Sequence, residues 1–187
     1  MFPLGHLGVG ARAVQSWTPP VQRRWVLLGA LLPDLVDKPL YYALAWVTGR
    51  RGAAIGLVSG SRTFGHTALL LIIVWLASLV LSRRWIRFVA LGMVTHLVLD
   101  ELIDILNVAT HLVETSILGS YDNPSTLWAI FFPLFGWRFP GIPFRNALDH
   151  VASLRNPYVL ASEILGALLL YQHRRRMRRV QTTRAGV

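Results

Sequence analysis

The clearest apolar run extends from Phe64 to Ser82, nineteen residues without a Lys, Arg, Asp or Glu. A helix needs about 20 such residues to cross a bilayer core. Arg83, Arg84 and Arg87 follow at once, as flanking charge does at a membrane boundary. Trp85–Leu106 is nearly as long but carries His96, Asp100, Glu101 and Asp104. Pro157–Gln172 has one acid, Glu163, and leads into an arginine cluster beginning at Arg174. Trp25–Thr48 reads as a further span, interrupted by Leu32-Pro33-Asp34-Leu35-Val36-Asp37-Lys38-Pro39. A proline inside a helix removes a hydrogen bond and presses on the preceding turn. This segment therefore predicts a broken helix whose irregular part is buried in protein or lines a cavity. The pattern predicts an all-α integral membrane helical bundle of about four spans. Residues 1–173 form its single domain and 174–187 a basic tail. His6–Trp17 predicts a short helix, Gly49–Gly60 a glycine-rich loop and Asn107–Asn156 a long connection.

Composition sharpens this reading. Of 187 residues, 53% are hydrophobic and 15% charged, where a soluble domain carries about 25% charged. The net charge is +10, and Lys38 is the only lysine among 19 basic residues. Because the arginines cluster between apolar runs, they point to anionic lipid headgroups rather than nucleic acid. There are no cysteines, which excludes disulfides, thiolate metal sites and thiol nucleophiles. Met1–Gly10 lacks the basic start of a signal peptide. The charge bias puts the arginine cluster and the C-terminus on the cytoplasmic side. Arg50 and Arg51 then fall outside and break the bias at one loop.

Polar residues are scarce, so their spacing is informative. His96 and Asp100 are four apart in an apolar helix and share one face, with Asp104 a further turn along. Asp34 and Asp37 share a face if locally helical. His66 opens the Phe64–Ser82 run, and His6 lies between glycines. A lone buried histidine is ordinarily a hydrogen-bonded structural residue, and an Asp beside a proline is ordinarily a cap. Together, three histidines and three aspartates in apolar segments point to a shared site, because isolated carboxylates in hydrocarbon are costly. A divalent cation offsets that cost. Ion pairing to Lys38 and Arg62 is the competing explanation.

At these residues the chain resembles the YdjM-like family of membrane-bound, predicted metal-dependent hydrolases, also described as LexA-binding and inner-membrane-associated. The likeness rests on Gly5-His6, on Leu32-Pro33-Asp34 with Asp37, on Ser61-Arg62-Thr63-Phe64-Gly65-His66-Thr67, and on Thr95-His96-Leu97-Val98-Leu99-Asp100. Leu127-Trp128 and Trp137-Arg138-Phe139 resemble the family's later aromatic segment. Ser61 stands where the family has a histidine, and Asp37 follows Asp34 by three residues instead of two. Residues 107–123 look like an insertion, whose His111 is a candidate substitute ligand. The arrangement is also distantly similar to zinc-dependent phospholipase C, an all-helical fold with a His/Asp metal site.

The resemblance implies a hydrolase in the inner membrane of a bacterial or archaeal cell. The expected metal ligands are His6, Asp34, Asp37, His66, His96 and Asp100. Zinc is the first expectation, with manganese or magnesium as alternatives. Asp34 or Asp37 is a candidate general base, and Arg62 a candidate phosphate-binding group. The expected substrate is an ester or phosphoester, in a lipid or lipid-linked molecule, with membrane lipid as partner. Two other readings stay open: a non-enzymatic relative that keeps the fold, and a small ion- or proton-coupled transporter.

Overall fold

The computed structural model describes residues 1–58, 60–118, 127–134, 139 and 147–185. Every regular element among them is helical. The first helical stretch, α1, joins an α turn Pro3–Gly5, a π turn His6–Gly10 and an α turn Ala11–Ala13. The long helices are α2 (Arg23–Thr48), α3 (Ala68–Val80), α4 (Arg84–Leu118) and α5 (Pro157–Ala185). Short helices Leu127–Ile130 and Ala147–Ala152 lie between α4 and α5.

Each expected apolar span falls on a helix, although α4 runs on to Leu118 into the expected 107–156 connection and α5 runs on to Ala185 through the basic tail. Two further corrections concern α2 and α3. The predicted break at Pro33–Pro39 does not occur, since α2 runs unbroken through both prolines. Pro33 is buried, and Gly65 packs directly on its backbone. The loop before α3 therefore covers this turn, and Asp34 and Asp37 face protein instead of lipid. The second correction concerns length. Helix α3 starts at Ala68, not Phe64, because Phe64–His66 forms a 3-10 turn and Thr67 caps the helix. The Thr67 hydroxyl accepts from Leu70 N at 3.1 Å. At 1.5 Å per residue, the 13 residues of α3 fall short of a bilayer core of about 30 Å. Among the described residues no helix is long and apolar enough to cross a membrane.

The frame that carries the polar residues is α2 crossing α4. A Cβ on Gly29 would strike the Val89 carbonyl, and one on Gly92 would strike the Val26 carbonyl. Only glycine permits the two backbones to meet there. The same device seats α1 on α5, where Gly8 meets Gly166. Trp25 and Trp85 lie 4.7 Å apart by ring centroid and set the N-terminal ends of α2 and α4 side by side.

Candidate metal centre

The cluster is assembled from four separate segments. His6 comes from the π turn of α1, Asp34 and Asp37 from α2, His66 from the 3-10 turn before α3, and His96 and Asp100 from α4. All six are buried; His6, Asp37 and His96 are fully so. A π turn widens the helix and re-aims its side chains, a feature common at functional sites. Here it stacks the His6 ring on His96, with centroids 3.7 Å apart and planes 14° from parallel.

Two hydrogen bonds determine what the histidines can do. His66 Nδ1 lies 2.7 Å from Asp37 Oδ2. His96 Nδ1 lies 2.7 Å from the Ala30 carbonyl oxygen. Both partners are acceptors, so both Nδ1 atoms carry the proton and donate. In the neutral rings each Nε2 is left with a bare lone pair. These two Nε2 atoms face one another at 3.1 Å, an arrangement that needs a cation or a shared proton between them. Carboxylate or carbonyl on Nδ1 and metal on Nε2 is the usual outer support of a histidine ligand.

Two carboxylate oxygens complete the group. Asp34 Oδ1 lies 3.7 Å from His66 Nε2 and 4.0 Å from His96 Nε2. Asp100 Oδ2 lies 3.5 Å and 3.6 Å from the same two atoms. Ligands held about 2.0–2.1 Å from a tetrahedral zinc lie about 3.3 Å from one another, so the donor spacing fits a metal ion. Two overlapping sets meet the requirement: Asp34, His66 and His96, and His6, His96 and Asp100. His6 Nε2 is 3.3 Å from Asp100 Oδ1, yet neither ring nitrogen of His6 makes a hydrogen bond among the described residues. Buried polar atoms without partners are rare, and this one points at the cluster.

Asp37 stands apart from the donor set. It accepts from Thr63 N at 2.6 Å, Thr63 Oγ1 at 2.9 Å and Gly65 N at 2.8 Å, besides His66. Its carboxylate thus shapes the Thr63–His66 loop and orients the ring.

The ion pairs anticipated from Lys38 and Arg62 are present as well. Lys38 Nζ is 2.5 Å from Asp34 Oδ2. Arg62 Nη2 is 3.2 Å from Asp100 Oδ2, and its Nη1 bonds Asp104. The Met1 nitrogen is 2.6 Å from Asp100 Oδ1. Burial alone would lower the Arg62 pKa, but Asp100 and Asp104 outweigh it and raise it, so Arg62 stays cationic.

One contributor escaped sequence reasoning. Glu163, in α5, accepts from Phe2 N, Leu4 N and Gly5 N at 2.9–3.0 Å. It satisfies the free amides that begin α1 and thereby places His6. A single acid in an apolar run was the available signal. The proposed substitute ligand His111 has a side chain outside those described, as does Trp128, and Trp137 and Arg138 lie outside the described residues altogether.

No curated protein and no solved structure is detectably similar to the chain. A family model does match it, over the residues that supply the whole His/Asp cluster. The chain belongs to the YdjM inner membrane protein family, whose model covers residues 1–106.

Proposed function

We propose that the chain is a membrane-embedded, metal-dependent hydrolase of an ester or phosphoester. The observation that carries the metal assignment is the facing pair of Nε2 atoms on His66 and His96. In this proposal Asp34, His66, His96 and Asp100 hold the ion, with His6 as a further donor, and zinc suits the histidine-rich set. When bound, the ion supplies Lewis-acid polarisation of the scissile group. Asp37 keeps His66 in the productive tautomer, because its oxygens are taken by four donors. Lys38 pairs with Oδ2 of Asp34 and leaves Oδ1 turned toward the two histidines, so Asp34 serves as a ligand. Arg62 is partly exposed at the cluster's edge and binds an anionic substrate oxygen.

Membrane embedding is supported by an inverted polarity. A helix of a water-soluble protein turns its apolar stripe inward. In α4 the inward face carries His96 and Asp100, while Val94, Val98, Leu102 and Ile105 are exposed. Leu69, Ile72, Ile73, Leu76 and Val80 of α3 and Leu160, Ile164 and Leu168 of α5 are exposed too. In α2 likewise Leu28, Leu35 and Val47 are exposed while Asp34 and Asp37 are buried. The proposed substrate is accordingly a lipid or lipid-linked ester, and the C-terminus is cytoplasmic.

Metal analysis of the purified protein tests the assignment. A stoichiometric divalent ion is expected in the native chain and its loss in His66→Ala and His96→Ala. A native chain free of metal would overturn it and favour the second reading, a relative that keeps the fold without turnover. That reading is supported by Lys38–Asp34 and Arg62–Asp100, which compensate carboxylates without an ion.

A further inference from the structure

A groove separate from the His/Asp cluster opens where α1, α2 and the C-terminal part of α5 meet. Arg12, Gln15, Arg23 and His173 form its polar lining, and Leu27 and Leu169 its apolar lining. Its volume is about 80 Å³, where one water requires about 10–15 Å³, so a tetrahedral anion fits. No carboxylate is among the residues that line it. Among the described residues Arg12 bonds a neutral partner, Gln15 Oε1, at 2.8 Å. Arg23 leans on His173, with Nη1 3.4 Å from Nδ1. Arg23 Nε is buried without a hydrogen-bond partner among the described residues. Two guanidinium groups thus converge on a space that supplies them no anion, and an unmet buried donor of this kind costs stability until an acceptor arrives.

The surroundings identify the acceptor. Arg24 lies over the Trp25 ring at 4.9 Å and Arg175 over the Tyr171 ring at 5.0 Å. Trp85, beside Trp25, is half exposed and flanked by exposed Arg84 and Arg87. Arginines mixed with tryptophan and tyrosine at one end of a bundle mark the headgroup level of a bilayer. The leucines that line the groove continue into the exposed apolar faces of α5 at Leu165 and Leu168. A ligand seated here would hold its anionic group against Arg12 and Arg23 and run its chain along α5. We infer that this groove binds the phosphate headgroup of an anionic membrane phospholipid, at a site distinct from the metal centre. The inference rests on the membrane placement proposed above and is independent of hydrolysis.

The test uses the full chain in lipid nanodiscs of phosphatidylcholine, with and without phosphatidylglycerol. Thermal stability and lipid retained after delipidation are the readouts. Phosphatidylglycerol is expected to raise the native midpoint and to be retained over phosphatidylcholine. Arg12→Gln, an exposed position, should weaken retention more than about tenfold, the loss of a charge-assisted hydrogen bond to a bound anion. Arg23→Lys keeps the charge but removes the buried Nε donor, and should lie between native and Arg12→Gln. Arg87→Gln, which is outside the groove, should cost no more than about fivefold, the effect of one basic side chain at an anionic surface, and metal content should be unchanged in all three. Equal loss from Arg12→Gln and Arg87→Gln would reduce the effect to general surface charge and overturn the site. Inorganic phosphate giving the same shift in neutral discs, lost in Arg12→Gln, would assign the groove to a small anion and overturn the lipid reading. A chain that stays out of neutral discs overturns both the membrane placement and this inference.

Discussion

Asp37 Oδ2 lies 2.7 Å from Nδ1 of His66, and this bond turns Nε2 of the ring toward His96. The aspartate therefore acts at a distance from the donor set, through the ring it orients. Each Asp37 oxygen accepts from two of the four donors, so in Asp37→Asn the amide nitrogen, which cannot accept, is left opposing two of them. Metal affinity should fall about 10–100-fold, the usual cost of losing such a support. Competition with a chelator measures this, and an unchanged affinity would remove Asp37 from the positioning role.

Asp100→Asn should damage metal binding more than Glu101→Gln. Asp100 Oδ2 lies 3.5–3.6 Å from both facing Nε2 atoms, while Glu101 is rotated about 100° around the helix. Asn keeps a coordinating oxygen but loses the charge that neutralises a divalent ion. The ratio of bound metal in the two variants, prepared from the same membranes, reads this out. Equal losses would mean that the functional face of α4 lies elsewhere.

Glu163 ties α5 to the start of α1 through three backbone amides. Glu163→Ala strands those amides and should cost about 1–3 kcal/mol. Glu163→Gln, with one accepting oxygen left, should fall between it and native in thermal midpoint. Because α1 carries His6, the order of metal retention should follow the same series. Metal retention in Glu163→Ala equal to native would separate His6 from the ion.

Gly29→Ala tests the helix crossing. In an open helix this change gains about 0.5–1 kcal/mol. Here the new Cβ meets the Val89 carbonyl, backbone that cannot step aside, so the sign reverses. A loss of about 1–3 kcal/mol is expected, as for overpacking elsewhere. A stabilised variant in thermal unfolding would show that α2 and α4 do not meet at this point.

The chain has no native cysteine, so a single introduced one reports sidedness cleanly. A cysteine at Arg174, in the exposed basic part of α5, should resist an impermeant thiol reagent applied to intact cells and react after lysis. Labelling from outside would reverse the proposed orientation.

Much of the site was legible in the sequence because it depends on local period. His96 and Asp100 share a face on any helix, and a helix was certain from the apolar run around them. The scarcity of polar residues elsewhere in these runs marked His6, Asp34 and His66 as members of the same group. The all-helical class followed from the runs themselves, and so did the starts of α2, α4 and α5 to within two residues, whereas α4 and α5 continue past the expected spans to Leu118 and Ala185.

Tertiary structure decided the rest, since it depends on what packs against each segment. Pro33 reads as a break, but a covering loop at Gly65 lets α2 continue through it. Asp34 and Asp37 look equivalent three residues apart. They differ because Asp34 faces His66 and His96, while Asp37 faces the amides of Thr63 and Gly65. Glu163 is one acid in an apolar run until α1 lays its free amides on it. Periodicity specifies which side chains share a face of their own helix. The facing pair of Nε2 atoms arises only when separate segments bring their faces together, and that is a property of the packing.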